Sequence, residues 1–191
     1  MNFNFDIQAK GPVSQALLQR GINDFLSTAE FVRALPYRRN ADKLDPLCVL
    51  DENCGTCSTK HALLKILAEE NGIKDVRLIL GIFRMSVQNT PAVAAVLSKH
   101  GLRYMPEAHN YLRIGGQILD CMKTGWSEKN FIGDLLEETE ITPEQITEFK
   151  VAHHKNFLRA WLKDQAELRY TLEELWAIRE ECIAALSKAP E

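Results

Sequence analysis

The sequence predicts an α+β domain in which a cysteine-bearing helix packs on an antiparallel sheet, with extra N- and C-terminal helices. Three observations predict this class. Apolar residues recur at helical spacing near both ends of the chain, they alternate along a central strand-like run, and a Gly-Gly pair separates two further strand-like runs. A length of 191 residues fits one domain. We assign 1–191 to that domain, with a core at 36–125 and a helical C-terminal extension at 126–191.

The first part of the chain is predicted to hold two long helices. Residues 12–35 carry apolar side chains on a period of about 3.6 residues, although Gly21 weakens the middle of this helix. Residues 36–56 are predicted to be irregular, apart from a short turn or helix near residues 47–50. The second helix is predicted over residues 57–70, because an Asn-Gly pair then stops it.

The sheet is predicted from three runs. Apolar residues alternate over residues 76–82, which is typical of a strand, and a short helix opened by a proline follows. Residues 108–114 and 117–122 are the other two runs. Gly115 and Gly116 lie between them and predict a two-residue hairpin turn, because glycine readily adopts the positive φ that such turns require.

The rest of the chain is predicted to be helical. Thr142 and Pro143 open one helix, and a capping box formed by Thr171 and Glu174 opens the last. The histidines outside the proposed site are predicted to lie on helix surfaces: His100, His153 and His154. The C-terminal apolar positions are predicted to form core or subunit contacts of an oligomer rather than a ligand site: Phe157, Trp161, Leu168, Leu172, Leu175 and Trp176.

Composition narrows the class of function. The apolar share is 46% and the net charge is −3, with acids and bases mixed, so nothing indicates nucleic acid or an anionic membrane as a partner. No apolar run approaches the ~18 residues that span a bilayer, and the N-terminus lacks the pattern of a secretory signal. We therefore expect a cytoplasmic protein. Five cysteines at irregular spacing argue against a disulfide framework.

Cys57 is the candidate nucleophile. It follows Gly55-Thr56 at the start of a predicted helix, where unpaired N–H groups and the helix dipole favour the thiolate, the nucleophilic form. The alternative is an inert buried thiol, since free cysteine is among the most buried residue types. The choice between them depends on the partners of Cys57.

His109 and Asp120 are the candidate partners. If the hairpin turns at the Gly-Gly pair, Tyr111 faces Asp120, and His109 lies diagonally from Asp120 on the same face of the sheet. A carboxylate in that position orients an imidazole and stabilises its cation. The alternative is a surface histidine beside a hairpin aspartate.

These residues resemble the core of transglutaminase-like proteins, which are related to papain. The shared pattern is Gly-x-Cys57 opening a helix, a Gly-Ile pair after the helix, and then His109 and Asp120 on consecutive strands. The resemblance covers about residues 53–122. It implies a papain-like cysteine-protease fold and maps Cys57, His109 and Asp120 onto the catalytic positions.

Two features depart from that family. Its members commonly have an aromatic residue after the histidine, whereas Asn110 stands here. The second donor of the oxyanion hole is not evident either. The backbone N–H of Cys57 would be the first donor, and Asn53, Tyr37 and Asn40 are the candidates for the second.

Other functions remain open. Cys54 and Cys57 form a C-x-x-C pair, as in thiol-disulfide oxidoreductases, and the same pair with His61 or Cys121 offers zinc ligands. His61 lies one helical turn after Cys57 and is therefore a rival base, although we interpret it as a residue that packs behind the cysteine. A non-catalytic binding module that retains the fold is the remaining alternative.

The favoured interpretation is a cysteine-dependent acyl-transfer enzyme. Its substrate would be a peptide, amide or ester, and hydrolysis is favoured over cross-linking because it needs no second substrate site. The chemistry of a Cys-His-Asp triad requires neither a metal nor a cofactor, and none is predicted.

Overall fold

The computed structural model describes residues 3–165 and 167–188. Four helices precede the sheet, and they are α1 (Pro12–Gln19), α2 (Phe25–Ala34), α3 (Cys48–Asp51) and α4 (Cys57–Glu70). The short helix near residues 47–50 and the long helix over residues 57–70 are therefore confirmed.

The single helix predicted over residues 12–35 is wrong, because the chain forms two helices there. Gly21 has a φ of +75°, which lies in the left-handed region and ends α1. Asp24 then caps α2 by accepting a hydrogen bond from the N–H of Ser27 at 3.0 Å. The carboxylate of Glu70, at the end of α4, accepts the N–H of Ser14 at 2.7 Å and so ties α1 to α4.

The sheet has four antiparallel strands in the order β3-β2-β1-β4. The elements from here to the C-terminus are β1 (Val76–Ser86), α5 (Ala94–Lys99), β2 (Tyr104–Ile114), β3 (Gln117–Leu119), β4 (Leu135–Ile141), α6 (Glu148–Lys163) and α7 (Leu172–Lys188). Short 3-10 turns occur at Pro91–Val93, Glu128–Asn130, Ile132–Asp134 and Pro143–Ile146.

The predicted α+β class is confirmed, with α4 packed on the sheet and further helices at both ends of the chain. Leu78, Leu80 and Leu112 are buried in the core cluster that α4 shares with the sheet. Ile79 and Tyr111 point to the opposite face and are buried in a second cluster with side chains of α6 and α7. Both faces of the sheet are therefore covered.

The Gly-Gly hairpin turn is confirmed. Ile114 pairs with Gln117 and Leu112 with Leu119, and both turn glycines have positive φ values of 54° and 83°. In this register Asp120 directly follows β3, and its side chain faces His109.

The C-terminal extension over residues 126–191 is not purely helical, so that prediction is corrected. β4 lies in it and pairs with β1, with Ile141 opposite Leu78. Its sequence, Leu-Leu-Glu-Glu-Thr-Glu-Ile, is rich in acids, as suits an edge strand. The capping box of α7 is confirmed, since the N–H of Glu174 donates to Thr171 Oγ1 at 3.2 Å. Among the described helices, none has the length and apolar character needed to cross a membrane.

Candidate active site

Cys57 is the first residue of α4, as predicted. Thr56 and Thr59 form a capping box there, and Tyr37 makes a parallel β-bridge with Gly55, which brings the preceding loop beside the helix start. A Cβ atom on Gly55 would lie 2.9 Å from Cγ of Lys60. The glycine is therefore required for this close approach.

His109 and Asp120 are in contact across the hairpin. The Nε2–H of His109 donates to Oδ2 of Asp120 at 2.6 Å, and this leaves Nδ1 for Cys57. Asp120 also accepts the indole N–H of Trp126 at 2.9 Å and the backbone N–H of Met122 at 2.9 Å. Three donors thus hold the carboxylate, and its pair with the imidazole is buried.

The thiol of Cys57 is activated by its surroundings. Burial by itself raises its pKa, but the ammonium of Lys150 and the hydrogen bond and charge of His109 outweigh burial and lower the pKa to about 6. The backbone N–H of Asn110 acts in the same direction. These contacts favour the thiolate of Cys57 at neutral pH, which is the form that attacks carbonyl carbon.

The imidazole of His109 favours its positively charged form beside the Cys57 thiolate. Burial disfavours the cation of His109, but Asp120 and the Cys57 thiolate outweigh it and raise the pKa of His109 to about 10. Burial likewise opposes ionisation of Asp120, and His109 overcomes it and lowers the pKa of Asp120 to about 2. The surroundings of the three side chains therefore favour a thiolate, an imidazolium and a carboxylate at neutral pH.

Lys150 of α6 is a buried cation at this site that the sequence did not indicate. Its Nζ lies 3.8 Å from Sγ of Cys57, and it donates to Oγ of Ser58 at 2.9 Å and to Oδ1 of Asn110 at 2.7 Å. Asn110 itself is fully buried and donates to the carbonyl of Ile79 at 3.0 Å. The residue that departs from the family pattern therefore anchors a lysine beside the sulfur.

His61 has its two ring nitrogens occupied by backbone groups. Nε2 accepts the N–H of Cys121 at 2.7 Å, so the proton is on Nδ1, which donates to the carbonyl of Cys57 at 2.7 Å. Burial lowers the pKa of His61 to about 4. This neutral imidazole joins the first turn of α4 to the chain after Asp120, which suits the packing interpretation rather than that of a base.

The three candidate oxyanion donors lie in different places. Tyr37 lines the cavity at Cys57, and its pKa is raised well above the ordinary value by burial and then by Cys57. Asn40 is turned to the loop, where its amide donates to the carbonyl of Cys54 at 3.0 Å and its oxygen accepts from Thr59. Asn53 is exposed, with a φ of 50°. Of the three, only Tyr37 has its side chain at the sulfur.

A cavity of about 640 Å³ opens on Cys57 and is bounded by the start of α4, by β2 and by α6 and α7. Trp176 lines it and also packs against the second core cluster, as predicted for the C-terminal apolar positions. His154 is also part of the wall and is buried, with Nε2 at 2.8 Å from the carbonyl of Pro106, so its assignment to the helix surface was wrong. The C-terminal helices therefore help to form the site.

The other cysteines differ from Cys57. Burial raises the pKa of Cys48 to about 11, of Cys121 to about 12 and of Cys182 to about 11. Cys54 is buried and free, and its Sγ accepts from Nε of Arg38 at 3.4 Å. Within residues 3–165 and 167–188, no three His, Cys, Asp or Glu side chains are grouped so as to hold a metal ion.

Comparison with protein-family models, with curated proteins and with solved structures gives no match for this chain. The function is therefore inferred from the geometry of the site and from the sequence pattern that led to it.

Proposed function

We propose that the protein is a cysteine-dependent acyl-transfer enzyme of the transglutaminase-like, papain-related type, and that it hydrolyses an amide, peptide or ester. One observation carries the proposal: His109 bonds Asp120 through Nε2 at 2.6 Å while its interaction with Cys57 lowers the pKa of the thiol. A base that is oriented by a carboxylate and directed at an activated sulfur is the arrangement that nucleophilic catalysis requires.

The chemistry runs in two halves. The Cys57 thiolate adds to the carbonyl carbon, and a C–S bond forms while negative charge develops on the carbonyl oxygen. The backbone N–H of Cys57 and the hydroxyl of Tyr37 would donate hydrogen bonds to that oxygen. As the bond to the leaving group breaks, the Nδ1–H of His109 protonates the leaving nitrogen or oxygen.

The thioester is then resolved. His109, now neutral, takes a proton from water, the resulting hydroxide adds to the thioester, and the C–S bond breaks to regenerate thiolate and imidazolium. An amine in place of water would give transfer, as in cross-linking. Hydrolysis is the favoured outcome because it needs no second substrate site.

Iodoacetamide alkylation from pH 4 to pH 10, quantified for each cysteine by peptide mass spectrometry, tests this proposal. We expect the rate at Cys57 to have a midpoint near pH 6, and His109→Ala to move it towards the ordinary thiol value of 9. Cys48, Cys121 and Cys182 are internal references, since burial raises the pKa of each.

Two outcomes favour other functions. A Cys57 midpoint near the ordinary thiol value of 9 that His109→Ala leaves unchanged would indicate an inert binding module. Rapid formation of a Cys54–Cys57 disulfide in oxidised glutathione would indicate the thiol-disulfide oxidoreductase. Turnover of amide or ester probes that Cys57→Ser abolishes would support the acyl-transfer enzyme.

A further inference from the structure

The charges around the cavity are unequal in number. Among the described residues, five cationic side chains line it, compared with three carboxylates and the thiolate of Cys57, which faces Lys150. The cations are Arg39, Lys43, Lys150, Lys155 and Arg179, and the acids are Glu107, Glu148 and Glu180. A ligand would interact with those charges that have no partner of opposite sign within the protein.

The two arginines are neutralised by two of the acids. Arg179 donates from Nε to Glu107 Oε2 at 2.8 Å and from Nη1 to Glu180 Oε1 at 2.6 Å. Arg39 donates from Nη2 to Glu180 Oε2 at 2.7 Å. These contacts make one network in the wall formed by α7, with its charges balanced.

Two lysines are left without such a partner. Within the described parts of the chain, neither Lys43 nor Lys155 lies within 4 Å of a carboxylate oxygen. Lys155 instead rests over the ring of Trp176, with Nζ 4.9 Å from the ring centroid. The remaining acid, Glu148, is exposed in the first turn of α6, where the helix dipole stabilises it.

Lys150 lines the same cavity as Lys43 and Lys155. Burial lowers the pKa of Lys150. Cys57 and Glu107 oppose that effect, and the charges of Arg179 and Lys43 add to it. Like charges facing one cavity repel, and a bound anion relieves that repulsion. The cavity volume of about 640 Å³ lies in the range of small-molecule sites.

We propose that the acyl donor is a small anion, an amide or ester that carries a carboxylate or phosphate group, which Lys43 and Lys155 hold while its carbonyl reaches Cys57. This inference rests on the proposed acyl-transfer function for the reaction, but the anion site is testable without it. Trp176 lines the cavity as well, where its ring is contacted by Lys155 and Arg179.

Binding to the Cys57→Ser protein, measured by isothermal titration calorimetry, tests the anion site in the absence of chemistry. The probes are succinate, inorganic phosphate and neutral succinamide. We expect at least one anion to bind, succinamide to bind at least tenfold more weakly, and Lys43→Gln/Lys155→Gln to remove the difference. Preference for succinate identifies a carboxylate ligand, and preference for phosphate a phosphorylated one.

Lys163→Gln is the matched control, because this exposed lysine ends the same helix as Lys155 and does not line the cavity. Absence of binding by both anions, or binding that the double variant leaves unchanged, would overturn the proposal. A second measurement compares alkylation of Cys57 by iodoacetate and by iodoacetamide. The double variant should lower the rate ratio of charged to neutral reagent about tenfold.

The two proposals fail in different ways. Slow iodoacetamide alkylation of Cys57 at pH 7 with intact succinate or phosphate binding would sink the acyl-transfer function and leave the anion site standing. Fast iodoacetamide alkylation without anion binding, and with an unchanged reagent ratio in the double variant, would sink the anion site alone.

Discussion

The ammonium of Lys150 lies 3.8 Å from the sulfur of Cys57 although 93 positions separate them in the sequence. Its position is fixed from both sides of the site, since Ser58 follows the cysteine and Asn110 follows the histidine. A cation held so firmly beside a buried thiol makes ionisation of that thiol much more favourable. Besides His109, Cys57 therefore has a second, positively charged neighbour in Lys150.

Lys150→Met should raise the pKa of Cys57 from about 6 to roughly 7 to 9. The reason is that an opposite charge at this distance lowers the pKa of an acidic group by about 1 to 3. The pH dependence of iodoacetamide alkylation at Cys57 measures the change. Ser58 and Asn110 keep their own 3.0 Å hydrogen bond in the variant, so the fold should persist. Lys163→Met is the control, and coincident alkylation curves for both variants and the unmodified protein would contradict an electrostatic role of Lys150.

The contact between His109 and Asp120 could be predicted from the sequence because its geometry is local. Glycine turn chemistry fixes the hairpin register, and that register places His109 against Asp120. Lys150 and Trp176 were missed because they reach the site through tertiary packing of α6 and α7. A lysine in an amphipathic helix has the same sequence pattern whether it faces solvent or a thiol.

The errors in the fold have a similar origin. β4 was missed because an edge strand rich in glutamate lacks the apolar alternation of a buried strand, and its pairing with β1 is long-range. The break between α1 and α2 was underestimated because Gly21 inside a helical pattern is usually only a weakening, whereas here it takes a positive φ. In both cases tertiary context decided between two permitted local structures.

Asp120→Asn should lower the pKa of His109 from about 10 towards 6.5, because the carboxylate is the main group that favours the imidazolium over burial. NMR titration of the histidine ring signals measures this shift. At pH 8 the imidazole would change from charged to neutral and would lose the proton that the leaving group needs, so turnover of an amide probe should fall.

His61 provides the internal reference in the same spectra. Burial holds its pKa at about 4, and removing the Asp120 carboxylate can only lower it further, so His61 should stay neutral above pH 5 in both proteins. A His109 signal that titrates at the same pH in Asp120→Asn and in the unmodified protein would show that the 2.6 Å hydrogen bond does not set its charge.

Glu107→Gln should destabilise the fold by about 2 to 3 kcal/mol, because it removes the buried carboxylate that pairs with Arg179 and leaves the half-exposed Glu180 as the remaining partner of the guanidinium. Urea unfolding at pH 7 measures this change. Glu181→Gln is the matched control, since its pair with Lys99 is exposed and should contribute nothing measurable to the free energy of unfolding.

The contribution of Glu107 to stability should depend on pH. Burial raises the pKa of Glu107, but Arg179 outweighs burial and lowers it overall. The stabilisation by Glu107 is therefore present above the unfolded-state pKa of 4.5 and lost as the pH falls through the lower folded-state pKa, so the two unfolding curves should converge in acid. A difference that stays constant from pH 7 down to pH 3 would place the cost in packing rather than in the ion pair.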